Sequence, residues 1–349
     1  MPPRLALALA VSCSLSWSAA RRAEACAPAP PPGATVEIAE EEAAIVWDAE
    51  HHVEHFIRRA EFRSTARAFG FLVPTPTKPE LGEVPDSMFR ELAQALQPEV
   101  RHETRGVHVS FDSWTIGTLM MSRGDNARAP SAVRVINTAH VAGFDASTLE
   151  ADDAASLTAW LAAHGFGTTP ELTAWLARYV EAHWKITAFV VASDETGADR
   201  YDVATRAVRM SFPTELPFYP YREPAPAANA APTTAGRLLR VFFLANQRYA
   251  ATMAGAPWAA RVVLAAPVQL SDAHPLAVLA GHAPFVTAFH DDASPRRCPD
   301  EVSFAASADR GEVHPPPFII VEPHEISIPI EGLILLAIGG LWWWRRRRR

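Results

Sequence analysis

Cysteine is scarce in this chain, and the shortage limits its chemistry. Cys13, Cys26 and Cys298 are the only three among 349 residues, too few for a disulfide-stapled scaffold or a multi-cysteine zinc module. No glycine-rich phosphate loop or dinucleotide fingerprint occurs, so the sequence offers no nucleotide-binding signature. A G-x-S-x-G elbow is also missing, which leaves a nucleophile-elbow serine hydrolase without support. No repeat of solenoid length recurs, and long apolar runs are confined to the two ends.

The run at the end is the more telling. Ile326 to Trp344 stops against five arginines, Arg345 to Arg349. As a helix, Gly332 to Trp344 would reach about 20 Å, whereas starting at Ile326 gives about 28 Å, close to a hydrocarbon core of roughly 30 Å. The longer stretch predicts one transmembrane helix over 326–344, with Pro329 and Glu331 at the outer headgroups. Trp342, Trp343 and Trp344 would form an aromatic belt, and Arg345–Arg349 a cytoplasmic tail.

At the start, Arg4, the apolar Leu5 to Trp17 and the small-x-small Ala23-Glu24-Ala25 read as a signal peptide over 1–25, with Ser18-Ala19-Ala20 as an alternative cut. Cys26 is a poor lipidation site, because Ala23 and Glu24 stand where a leucine-like and a small residue are wanted. Positive charge prefers the cytoplasm, so the bulk of the chain is expected outside, periplasmic or extracellular. A tail removed as a sorting signal by a membrane protease would instead release the protein.

Without residues 1–25 and the arginines, 24 basic residues face 38 acidic ones, a net charge near −14. That field disfavours nucleic acid and favours cationic or neutral partners. Cys26 and Cys298, both exported, are a candidate disulfide, worth roughly 5 kcal/mol in the chain-entropy model if they meet.

Proline-rich breaks at 27–33 and 311–325 and a Pro/Ala/Thr-rich one at 223–236 organise the rest. They predict an N-terminal α+β domain over 26–222, a linker at 223–236, a β-rich second part over 237–310 and a stalk at 311–325. Ala43–Asp48, Val53–Arg63 and Ala68–Val73 read as strands of an antiparallel meander. A helix from Pro85-Asp86-Ser87 to Leu96 follows, and Val133–Val141 returns as a strand. Asp152-Asp153 and Thr169-Pro170 open a helical hairpin. Strand character resumes at 186–192, 207–212, 237–244, 261–270, 285–289 and 302–306. The fold class is therefore mixed α+β: antiparallel β-sheet elements with a helical hairpin, plus the C-terminal helix.

Several segments resemble one bacterial family. They are Ile45-Val46-Trp47-Asp48, Glu54-His55-Phe56-Ile57-Arg58, Phe69-Gly70-Phe71-Leu72-Val73-Pro74-Thr75-Pro76, Gly143-Phe144-Asp145, His164-Gly165-Phe166, and Ser211-Phe212-Pro213-Thr214 with Phe218-Tyr219-Pro220. In combination the chain resembles the family known only as domain of unknown function 2330, well over 26–245 and more loosely beyond. The resemblance implies an exported, tail-anchored envelope protein of mixed α/β character with no assigned activity. Relatives often begin with Cys-Gly and a further Cys nearby; here Cys26 is followed by Ala27, which speaks against a short N-terminal disulfide.

His51-His52-Val53-Glu54-His55 matches the H-x-x-E-H pattern of inverted zinc peptidases, in which a helix brings two histidines together and the glutamate serves as general base. Its flanks read as strands, so the motif is expected in a hairpin turn where His51, Glu54 and His55 do not converge. Asp152-Asp153 fits a helix cap better than a calcium loop, and Asp291-Asp292 lacks calcium-loop spacing. The remaining histidines are scattered singly. Trp160, Trp175, Tyr179 and Trp184 stand at helical spacing and read as core, whereas Phe212, Phe218, Tyr219 and Tyr221, in a proline-punctuated segment, are the candidate exposed aromatics. The composite expectation is a non-enzymatic binding or structural ectodomain, tethered to the lipid bilayer, with an unknown envelope partner and no cofactor. A zinc-dependent hydrolase using His51, Glu54 and His55 is the alternative.

Overall fold

Strand β1 (Ala27–Ala29) precedes the hairpin that sets the faces of the fold, β2 (Val36–Asp48) and β3 (Val53–Ser64). Successive side chains of a strand point to opposite faces, and Ile45, Trp47, Phe56 and Phe62 of this hairpin bury one face in a shared core. A bulge between Ile38 and Glu40 shifts the phase of β2. Glu41, rather than Glu40 or Glu42, then falls on the face of Ala43, Ile45 and Trp47.

The computed structural model describes residues 27–110, 139–193, 196–225, 238–293, 299–327 and 330–348. After the hairpin come β4 (Ala68–Thr75), β5 (Glu80–Glu83), α1 (Ser87–Gln94), β6 (Val100–Ser110), β7 (Ala139–Val141) and β8 (Phe144–Leu149). The helical pair α2 (Ala154–Ala163) and α3 (Pro170–Glu181) leads to β9 (Lys185–Ala192), β10 (Tyr201–Ala204), β11 (Val208–Pro213) and β12 (Phe218–Tyr219). The remainder is β13 (Leu238–Ala245), β14 (Tyr249–Met253), β15 (Ala256–Pro257), β16 (Arg261–Pro267), α4 (Ala277–Ala280), β17 (Phe285–Asp291), β18 (Val302–Ala306), β19 (Phe318–Ser327) and α5 (Ile330–Arg347).

These elements divide into two units, residues 1–92 with 138–313 and residues 93–137 with 314–349. In the first, an eight-stranded sheet runs β16-β17-β13-β2-β3-β11-β5, with β10 also on β3. A five-stranded sheet runs β1-β4-β9-β8-β7 and a four-stranded sheet β12-β18-β14-β15. Phe56 and Phe62 from the first sheet, Phe71 and Phe189 from the second and Phe304 from the third share one core, so this unit is layered as a sandwich. Leu157, Leu161, Trp175 and Leu176 of the helical pair cover the other side of the five-stranded sheet against Leu72, Ile186 and Ala188. Both helices start where their caps dictate: Asp153 accepts from the Ser156 N–H at 2.7 Å, and Thr169 from the Leu172 N–H at 3.1 Å with Pro170 next.

The mixed α+β class stands, with corrections. The meander stops after two strands, because β4 leaves β3 and pairs with β1 and β9 in another sheet. β13 lies parallel to β2 in the same sheet, so strands on either side of the expected 223–236 boundary build one unit.

In the second unit β6 and β19 form a two-stranded parallel ribbon, and β19 takes the latter part of the expected stalk. No helix among the described residues is long and apolar enough to cross a membrane. The expected span at 326–344 loses its beginning to β19, which ends at Ser327, and α5 holds Glu331 and three arginines within its length. Its uninterrupted apolar part, Gly332–Trp344, is about 20 Å long.

Candidate functional site

Polar chemistry in the first unit concentrates on the segment Pro217–Glu223. Pro217 and Pro220 keep it out of a central ladder, and only Phe218 and Tyr219 pair with a neighbour, β18. Four acidic side chains from four strands or strand ends hold it instead. Glu54 of β3 accepts from the Phe218 N–H at 2.9 Å. Glu41 of β2 accepts from the Tyr219 hydroxyl at 2.6 Å and from Arg58 Nε at 3.0 Å. Asp291 at the end of β17 accepts from the Tyr221 hydroxyl at 2.5 Å. Glu301 accepts from the Arg222 N–H at 3.0 Å and from the Tyr179 hydroxyl of α3 at 2.5 Å.

The clasp continues outward, with the Arg222 guanidinium on Asp300 and the Trp175 indole N–H on the Arg222 carbonyl at 3.0 Å. The Arg58 guanidinium lies 4.0 Å over the Phe71 ring and 2.9 Å from Glu41, pairing a buried cation with both a carboxylate and an aromatic face.

Burial sets the proton affinities. Glu54 is fully buried and pushed well above the usual carboxylate range by desolvation, opposed only by the Phe218 N–H. Its Oε1 has no hydrogen-bond partner among the described residues, which fits a carboxyl that retains its proton. Glu301 is raised to about 7 by desolvation, against its donors Tyr179 and Arg222. Two carboxyls thus hold protons far above the range of free glutamate, inside an aromatic core.

The space around this cluster is small. A cavity of about 20 Å³ beside Arg58, walled by Phe62, Phe71, Phe144 and Phe189, has room for about one water. A second, about 100 Å³ and lined by Glu40, Glu42, Glu61, Arg59 and Arg240, is polar and well below the several hundred Å³ of a small-molecule site. The arrangement fixes a strap in place.

The sequence-predicted candidates fall elsewhere. His51 sits in the turn between β2 and β3, where Asp48 accepts from its N–H at 3.0 Å and contacts its Nδ1 at 2.8 Å. Glu54 points into the core, while His55 meets Ser211 at 2.8 Å. The Asp48 hydrogen bond pushes His51 up, whereas desolvation pushes His55 down, reinforced by Arg209. The three do not surround one point, and no cluster of three metal-ligating side chains occurs among the described residues. Phe212, Phe218, Tyr219 and Tyr221, expected exposed, are all buried. Phe212 pairs within β11 and Phe218 and Tyr219 within β12, so the prolines confine the segment to short ladders without turning its rings to water. Trp175 and Tyr179 are also buried. Cys26, Cys298, residues 1–25 and Arg349 lie outside the described residues.

The profile of a family described as an uncharacterised protein conserved in bacteria (DUF2330) matches residues 20–305. The chain belongs to this family. No curated protein matches it. The DUF2330 match extends beyond the segments whose resemblance is visible by eye and takes in all four clasp carboxylates. Residues 306–349 of this DUF2330 protein lie outside it.

Glu41, Arg58, Asp291 and Glu301 were not singled out from the sequence as one site. Acidic residues within apolar strands are the available signal, but three consecutive glutamates at 40–42 hide which one faces inward, and only the bulge decides.

Proposed function

We propose that this DUF2330 protein is an exported, tail-anchored component of the bacterial envelope whose α+β unit binds or supports another envelope component without catalysing a reaction. The observation that carries the reading is the end of α5. Trp342, Trp343 and Trp344 are each about half exposed, and the guanidiniums of Arg346, Arg347 and Arg348 lie over their rings at 4.6, 4.0 and 3.8 Å. Indoles beside arginines suit the headgroup level of a bilayer, where the ring stays in the interface and the cation reaches water.

A stem of about 20 Å is shorter than a bilayer core, and attachment then draws on local thinning and snorkelling arginines. The signal-like residues 1–25 and the acidic body support an exterior location. Fractionation with protease accessibility tests it: the full-length protein should sediment with membranes, resist high salt, dissolve in detergent and be cleaved from outside. Recovery from the cytosol without detergent, with residues 1–25 attached, overturns the reading. For the partner, affinity capture should favour a neutral or cationic envelope component over nucleic acid.

A further inference from the structure

We propose that β6 is a self-recognition edge, through which two copies of this chain pair antiparallel about a two-fold axis at His102. Two observations carry this. β6 is bonded to β19 on one side, and no other strand pairs with it among the described residues. Its charges also alternate in sign: Glu99, Arg101, Glu103 and Arg105. Arg101 contacts Glu99 at 2.9 Å and Arg105 contacts Glu103 at 2.9 Å, which sets the four on one face, largely in water.

Antiparallel pairing centred on His102 sets Arg101 opposite the partner's Glu103 and Glu99 opposite the partner's Arg105. By symmetry each contact occurs twice, as an isologous interface requires. Moving the centre to Arg101 or Glu103 sets like charges face to face, as does parallel pairing in register. The pattern therefore selects one register, since opposite charges across strands stabilise and like charges destabilise.

The backbone agrees. The Phe318 N–H donates to the Glu99 carbonyl at 2.8 Å, so Glu99 directs its main-chain groups toward β19. Alternation then turns those of Val100, His102 and Thr104 toward the open edge. A two-fold at His102 makes His102 a hydrogen-bonded pair with its mate. Arg101 and the partner's Glu103 become a non-hydrogen-bonded pair, where side chains approach most closely. A lone two-stranded ribbon is marginal, and this pairing would make it four-stranded.

Sedimentation equilibrium of the full-length protein in detergent, at low salt, tests the proposal. The wild type should be a dimer. Arg101→Glu should weaken association about tenfold or more, and the swap R101E/E103R should restore it. His102→Pro removes an outward N–H, leaves the main-chain bonds to β19 in place and gives up only the exposed His102–Glu322 contact; it should abolish the dimer, with the circular dichroism spectrum unchanged as the check on folding. A wild type that is monomeric up to its solubility limit overturns the proposal. So does a dimer indifferent to Arg101→Glu and His102→Pro, or one that the swap does not restore.

Discussion

The strap of the first unit and the ribbon of the second handle charge in opposite ways. Around Pro217–Glu223 the carboxylates are taken out of water and held by hydroxyls, N–H groups and one guanidinium from several strands. On the ribbon, Glu99, Arg101, Glu103 and Arg105 stay largely in water and contact neighbours two residues along the chain, and His102 meets Glu322 across the strands, also in water. Apolar surface follows the same division. Among the described residues, nine of the twelve exposed large hydrophobics lie in the second unit, including Val100, Phe318, Ile319 and Val321. One unit consumes its polar groups internally and the other leaves charge and apolar side chains in water, so measurements of stability address the first and the proposed self-association addresses the second.

The largest effect should follow from Glu41→Ala, which takes the carboxylate away from the buried Arg58 guanidinium and from the Tyr219 hydroxyl; a loss of about 3–5 kcal/mol in urea unfolding is expected. A loss below about 1 kcal/mol would place the strap outside the cooperative core. Next in size is a pH effect. Glu301 sits at about 7 when folded and near 4.5 when unfolded, so between those values the folded chain keeps a proton that the unfolded chain has released. Stability should fall as pH rises through this window, by about 2 kcal/mol once residual exposure of the carboxyl is allowed for. Thermal melts from pH 5 to 8 should show that slope, and Glu301→Gln should make it shallower, leaving the share of the same sign that buried Glu54 contributes.

A smaller change, about 1 kcal/mol, is expected for Thr169→Ala, which removes the cap of α3 without touching a carboxylate. Measured at concentrations where the chain is monomeric, Arg101→Ala should leave the unfolding midpoint where it was. A clear drop there would mean that ribbon charges stabilise the folded monomer, and the contrast between the units would fail.

Much of the first unit was legible. The strands at 43–48 and 53–63 follow from apolar, β-favouring residues on either side of a polar turn, although β2 begins earlier, at Val36, and the helical pair follows from Asp153, Thr169 and Pro170. What escaped depends on partners distant in sequence. The strap looked exposed because its proline spacing reports on ladder bonding alone, while its burial depends on Glu41, Glu54, Asp291 and Glu301 reaching it from elsewhere. β6 escaped because alternating glutamate and arginine imitate a solvated loop. The C-terminal span was overdrawn at its start because Ile326 and Ser327 suit a strand as well as a helix.

The parallel pairing of β13 with β2 bears on when the fold can form. It joins residues about 200 apart, such as Glu40 and Leu238, at the middle of the widest sheet. Until the ribosome has passed that point, β2 lacks one neighbour and the sheet has no centre. Contacts this distant close slowly and leave apolar edges open meanwhile. A chain built this way completes its widest sheet only after residues 238–244 have been made, so its architecture is settled late in synthesis.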